Sequence, residues 1–167
     1  MSESNTKKDY IDLLRKYHFN CFPLPGLQKV ADFRYKASGT PHNQNIGDSE
    51  NYGYIPITGM GNAIIDIDHK ERYRQFAENM VKDGYMVIET GEGWHIPVVN
   101  LSGNISKVEL FDYNFQPDKK IVEVQGPDHY CVGPLCTIYH EKLQREVTYE
   151  NRGTAKIWDA RTMDFHN

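Results

Sequence analysis

No run in this chain of 167 residues approaches the roughly 18 consecutive apolar residues that cross a membrane as a helix. The opening Met-Ser-Glu-Ser-Asn-Thr-Lys-Lys has no apolar core of the kind a secretory leader carries. Cysteine is scarce: three residues, an odd number with no framework spacing, argue against a disulfide scaffold. These absences point to an intracellular, cytoplasmic protein with no membrane partner. There is no excess of positive charge either, since the net charge is −4. Taken alone, that balance argues against a nucleic-acid partner. The chain also has no internal repeat and no low-complexity tract.

What is present suits one globular domain over residues 1–167. Apolar residues make up 39% and aromatics 12%, enough for a real core at this length. Charge is unevenly spread: residues 1–36 hold seven Lys/Arg against four Asp/Glu, and residues 37–100 hold four against nine. Helical spacing of Tyr10, Leu13, Leu14 and Tyr17 predicts a helix over 8–18. An extended piece follows in Asn20-Cys-Phe-Pro-Leu-Pro-Gly26, and 37–50 reads as a polar loop. Tyr52–Ile57 reads as a strand. Tyr73, Phe76, Ala77, Met80 and Val81 mark a second helix that Asp83-Gly84 ends. Strands are expected at 85–89, 94–99, 108–111, 121–124, 129–132, 145–149 and 155–158. Of these, 121–124 and 129–132 are read as a hairpin about Gly126-Pro-Asp128. Helix, strands, helix, then mostly strands is an α+β order, with a mixed or antiparallel sheet and helices packed on it.

The chemistry centres on Gly61-Asn-Ala-Ile-Ile-Asp-Ile-Asp-His69. Ala63, Ile65 and Ile67 alternate with Ile64, Asp66 and Asp68, which predicts a strand with both aspartates on one face. Like charges on one strand face repel, and a hard cation such as Mg²⁺ or Mn²⁺ would hold them. The plain alternative is a strand end with solvated aspartates. His95 follows the glycine turn Thr90-Gly-Glu-Gly93, where backbone can approach a ligand closely. Glu123 interrupts an apolar strand and shares a face with Gln125, so it is a third carboxylate candidate, with Glu109 in competition. Lys29, Arg34 and Lys36 form a basic set able to meet phosphates. His129, Cys131, Cys136 and His140 have zinc-like residue types, but Cys131 sits in an apolar strand pattern and is read as a small hydrophobe.

In order, these motifs resemble the primase-polymerase domain of the archaeo-eukaryotic primase superfamily. The likeness is to the N-terminal domain of bifunctional DNA primase/polymerases of plasmids, viruses and archaea. It rests on Ile65-Asp-Ile-Asp68, on Thr90-Gly-Glu-Gly-Trp-His95, and on Val122-Glu-Val-Gln-Gly with Tyr130-Cys-Val-Gly-Pro134. Phe19-Asn-Cys-Phe-Pro-Leu24 and Tyr54-Ile-Pro-Ile-Thr-Gly59 extend it, so it spans about 8 to 150. Gly93 and Cys136 depart from it, standing where family members often carry serine. The resemblance implies a split α/β unit with a palm like an RNA-recognition motif, its palm-like part over 51–150 behind an N-terminal part over 1–50. It implies a nucleotidyltransferase, a primase or polymerase, with Asp66, Asp68 and Glu123 catalytic and holding two Mg²⁺ or Mn²⁺ ions. His95, Gly93, Lys29, Arg34 and Lys36 would then bind nucleotide. Single-stranded template, primer, nucleoside triphosphates and a replication helicase or accessory domain would be the partners, in a nucleoid-associated setting. Two other readings stay open: a metal-dependent nuclease, and an inactive module that binds single-stranded DNA or nucleotide.

Overall fold

A computed structural model describes residues 5–29, 44–48, 50–101, 107–111, 120–127 and 129–162. The first helix, α1 (Lys7–Lys16), starts at a capping box. Asp9 N–H donates to the Thr6 hydroxyl and Thr6 N–H donates to the Asp9 carboxylate, at 3.2 and 2.8 Å. Its stripe buries Tyr10, Ile11 and Leu14. Leu13 and Tyr17 are partly covered beside them. The stripe lies against β1 (Phe19–Leu24), which pairs antiparallel with β2 (Asn51–Pro56). These elements and their neighbours form the larger apolar cluster, including Phe19, Phe22, Tyr52 and Tyr54.

The second sheet is built around β3 (Ala63–Ile67). The chain then forms α2 (Arg74–Lys82), β4 (Ile88–Glu89) and β5 (Trp94–Val99). Both β3 and β4 run antiparallel to β5, which lies between them. They are therefore parallel to each other and joined through α2, which is a split β-α-β unit. On the other edge of β3 come β7 (Lys120–Gln125) and then β6 (Lys107–Phe111), again antiparallel. The α+β class expected from the sequence is what the chain adopts: the described residues form two α-helices and mostly antiparallel ladders.

Alternation in β3 decides what lies on each side of this sheet. Ile65 and Ile67 face α2, where Ala77 and Met80 join Trp94 and Ile96 in a second apolar cluster. Ile64 faces the other way, into the larger cluster. Phe76 was counted in the apolar stripe of α2, yet it is 41% exposed. The helix stops as expected: Gly84 adopts φ +88 and its N–H reaches the Val81 carbonyl.

Three sequence expectations change. The segment 129–132 does not pair with 121–124. Its strand β8 (Cys131–Val132) joins β2, because both edges of β7 are already taken by β3 and β6. The strand expected over 85–89 is reduced to β4, since 85–87 bonds to irregular tail backbone and to the Asn151 side chain. Of 155–158 only the end is a strand, β12 (Trp158–Asp159), parallel to β5 beyond the end of β4. Between them, β9 (Thr137–His140) and β10 (Arg145–Thr148) form a hairpin, and β11 (Glu150–Asn151) edges β4. Among the described residues, no helix is long and apolar enough to cross a membrane.

Two glycines separate conformational need from spatial need. A Cβ on Gly93 would sit 1.6 Å from the Ile67 carbonyl oxygen, while one on Gly84 meets nothing within 4 Å. Gly93→Ala is expected to cost at least about 3 kcal/mol in urea unfolding, because backbone must move. Gly84→Ala carries only the positive-φ penalty, about 1 kcal/mol. Equal losses at the two positions would refute this account.

Candidate active site

The site grows from one row across the larger sheet. Strand register places His95 opposite Asp66, Asp66 opposite Glu123, and Glu123 opposite Glu109. Directly opposed residues share a face. The row is therefore His95 on β5, Asp66 on β3, Glu123 on β7 and Glu109 on β6, all on the side away from α2. Asp68 continues the Asp66 face just past the end of β3.

The charges in this row alternate imperfectly, and the contacts show how the mismatch is absorbed. His95 Nε2 lies 3.2 Å from Asp66 Oδ1. Gln125 Nε2 donates to Glu123 Oε2 at 3.1 Å and, at the long limit of 3.5 Å, to Asp66 Oδ2. One amide thus bridges the two neighbouring carboxylates. Lys120 Nζ stands between Glu123, at 3.0 Å, and Glu109, at 3.7 Å. Glu123 is buried, whereas the Asp66 side chain keeps 21% of its surface exposed.

Burial works against the charge of Asp66. The His95 charge and the hydrogen bonds from His95 and Gln125 outweigh it and hold the carboxyl below its usual pKa. Burial likewise opposes the His95 imidazolium, but the Cys131 sulfur and the Asp66 carboxylate raise its pKa. Burial also raises the Cys131 thiol, which therefore keeps its proton. The charge that holds His95 protonated at neutral pH is then the Asp66 carboxylate. Asp68 behaves oppositely to Asp66. It lies on the exposed rim, yet partial desolvation, followed by the negative charges of Asp66 and Glu123, pushes it up to about 6.

Beneath the row lies the smaller sheet. Tyr54 on β2 pairs with Cys131 on β8, and Tyr149 meets the His95 ring edge-on with centroids 5.7 Å apart. His95 Nδ1, Tyr54 Oη and Gln125 Oε1 are buried with no hydrogen-bond partner. Above it, the turn at 90–93 is closed by Thr90 and Gly93, bonded in both directions. Glu92 in that turn holds Lys142 at 2.7 Å. Lys29 is close enough to lower the pKa of Asp66, and Lys142 feels the charge of Asp68. Lys29, His140 and Lys142 line a groove of about 680 Å³ with Leu27 and Tyr139.

The structure therefore brings Asp66, Asp68, Glu123 and His95 together and sets Lys29 at their edge. Gly93 adjoins them, but its bare Cα accommodates the β3 backbone. Arg34 and Lys36 lie outside the described residues. Glu109 stays in the row without displacing Glu123, and its side chain is the more exposed of the two. Four participants escaped the sequence reading. Lys120 was given no role, although it stands three residues before Glu123. Tyr54, Cys131 and Lys142 depend on pairings between distant segments. The set His129, Cys131, Cys136 and His140 does not converge: Cys136 is bonded to Tyr52 backbone, and His140 Nδ1 accepts from Leu143 N–H.

The Asp68 shift has a definite sign. Its pKa in the folded chain lies above the ~3.9 of an unfolded aspartate. The folded state thus holds this proton more tightly. The stability gained is complete below pH ~4 and is lost as pH rises through about 6. In EDTA, Asp68→Asn is expected to match wild type near pH 4 and to be the more stable protein at pH 7–8. Solvent screening at this half-exposed site limits the gain to on the order of 1 kcal/mol. Thermal melts across pH check this; a variant less stable than wild type at pH 8 would refute it.

No protein-family profile matches the sequence, and no curated protein matches it.

Proposed function

We propose that the chain is a template-dependent nucleotidyltransferase, a DNA primase or polymerase. The observation that carries this reading is the carboxylate group itself. Asp66 and Glu123 stand abreast on adjacent strands, Asp68 follows at the strand end, and Lys29 and Lys142 border them. Asp68 is raised to about 6 first by partial desolvation and then by the charges of Asp66 and Glu123, and a cation would relieve that negative potential. Oxygen donors of this kind suit Mg²⁺ or Mn²⁺. Asp66, Asp68 and Glu123 would hold the ions, which when bound supply charge neutralisation and lower the pKa of an attacking hydroxyl.

The rest is work for the chain's own groups. The reaction joins a primer or initiating 3′-hydroxyl to the α-phosphorus of a nucleoside triphosphate and releases pyrophosphate. Lys29 and Lys142, on the rim of the groove, meet the negative charge of the triphosphate or of template phosphates. His95 is buried with Nε2 on Asp66, so its service is to fix that carboxylate in place and keep it ionised. Lys120 fixes the Glu123 carboxylate in place from the opposite side. Template, primer and triphosphates are the implied partners, with a helicase or accessory replication domain as a further one.

The test is incorporation on primed and unprimed single-stranded templates with Mg²⁺ or Mn²⁺. Wild type is expected to extend the primer, and Asp66→Ala/Asp68→Ala to lose at least about 10³-fold in rate. Primer-free products would make it a primase. Template affinity should fall with salt, as phosphate contacts require. Cleavage of template by metal alone would transfer the site to a nuclease. Intact template, retained binding and no incorporation would make the chain a binding module.

A further inference from the structure

The row of carboxylates accounts for only part of what surrounds Asp66. On its inner side Asp66 meets nitrogen and sulfur. Asp66, His95 and Cys131 each present a ligand atom, and these atoms all lie within 4.8 Å of one another. Among the described residues this is the one such group of three. We propose that Asp66, His95 and Cys131 form a site for a borderline-soft transition metal, zinc in kind, separate in donor chemistry from the all-oxygen set.

The geometry is nearly that of a bound shell. Zinc bonds of ~2.0 Å to nitrogen and ~2.3 Å to sulfur put tetrahedral donors about 3.5 Å apart. Asp66 Oδ1 and His95 Nε2 are already 3.2 Å apart. Cys131 Sγ lies within 4.8 Å of both, so joining the same shell asks for a movement of no more than about 1.3 Å. The metal would replace the proton that His95 and Asp66 now share. Binding releases that proton and the Cys131 thiol proton to solvent, leaving carboxylate, neutral imidazole and thiolate as ligands.

An independent observation points to a ligand here. Tyr54 Oη is buried without a hydrogen-bond partner, in a residue 0% exposed. A buried polar atom of this kind calls for an explanation. Tyr54 is the cross-strand partner of Cys131, and its hydroxyl feels the charge of Asp66. A water completing the metal's fourth position would give that hydroxyl its partner. Cys131 is covered, at 6% exposed, while the Asp66 side chain keeps 21% of its surface exposed and would give a metal its way in. Thiolate and imidazole select zinc over magnesium. The other two thiols do not compete: Cys136 is tied to Tyr52 backbone and Cys21 lies at 0% exposure.

One consequence rests on the proposed function. Asp66 belongs to both donor sets, so zinc held by Cys131 withdraws it from the hard cations and stops incorporation. The binding test does not depend on that. Cobalt(II) added to the reduced, EDTA-treated full chain is expected to give a thiolate-to-metal charge-transfer band that zinc displaces at one equivalent. Cys131→Ser should lose the band and weaken binding by at least about tenfold, while Cys136→Ser keeps it. X-ray absorption of the zinc-loaded wild type should show one sulfur at about 2.3 Å. That measurement decides the matter even if Cys131→Ser fails to fold. No sulfur, two or more sulfurs, or a band that survives Cys131→Ser would overturn the site. A chain that binds cobalt through sulfur yet incorporates nothing would overturn the polymerase reading and leave this one standing.

Discussion

The constraint that the rest of the molecule answers to is the contact of Asp66 with His95, 3.2 Å apart and mostly covered. A buried ion pair is not a source of stability. Taking both charges out of water costs about as much as their attraction returns, while removing one partner costs about 3–5 kcal/mol. Here the difficulty is compounded, because the next residue across the sheet is another carboxylate. The chain handles this with cations at both ends and an amide between the two acids: His95, then Asp66 and Glu123 bridged by Gln125, then Lys120. Cohesion must come from elsewhere. It comes from the two apolar clusters on either side of the sheet, one under α2 and one shared with the smaller sheet.

That division explains why the site sits where it does. β3 is paired on both edges, so its backbone is satisfied and its side chains alone decide its two environments. One face is wholly apolar and closes on α2. The other begins apolar at Ile64, passes through Asp66 and opens at Asp68. Burial thus falls off along a single strand face. Across three residues the same chemical group changes from a carboxyl held ionised to one pushed up to about 6. Two carboxylates with displaced proton affinities, side by side, are what acid–base and metal chemistry draw on.

Much of this was legible in the residues, and the remainder has identifiable reasons. The alternation of Ala63 to Asp68 and the helical spacing through Met80 fixed β3 and α2, because each burial pattern is local. Asp66 and Glu123 were recoverable as charges interrupting apolar strands, and His95 from the glycine turn before it. Their register was not, since pairing joins segments about 30 and 60 residues apart. The hairpin expected about Gly126-Pro-Asp128 failed for the same reason. A turn signal is local, but whether a strand has a free edge depends on the whole sheet. Cys131 was read correctly as buried and missed as chemistry, because its partners Tyr54 and His95 come from two different sheets. The short pairs β4, β11 and β12 carry too few residues for any periodicity.

Gly93 shows how backbone sterics govern the chemistry from outside the site. In sequence it suggested a phosphate cradle beside His95. In the fold its missing side chain makes room for the Ile67 carbonyl, where the end of β3 crosses the start of β5. That close approach sets Trp94 opposite Ile67, and hence His95 opposite Asp66. A strand alternates faces at every residue, so a slip of one would turn His95 toward α2 and Trp94 toward the carboxylates. Both losses would be severe: a charge driven into the apolar cluster, and Asp66 left buried without its counter-ion. The glycine turn therefore acts as the register stop of this row of charged side chains, and the ion pair and the turn enforce the same alignment.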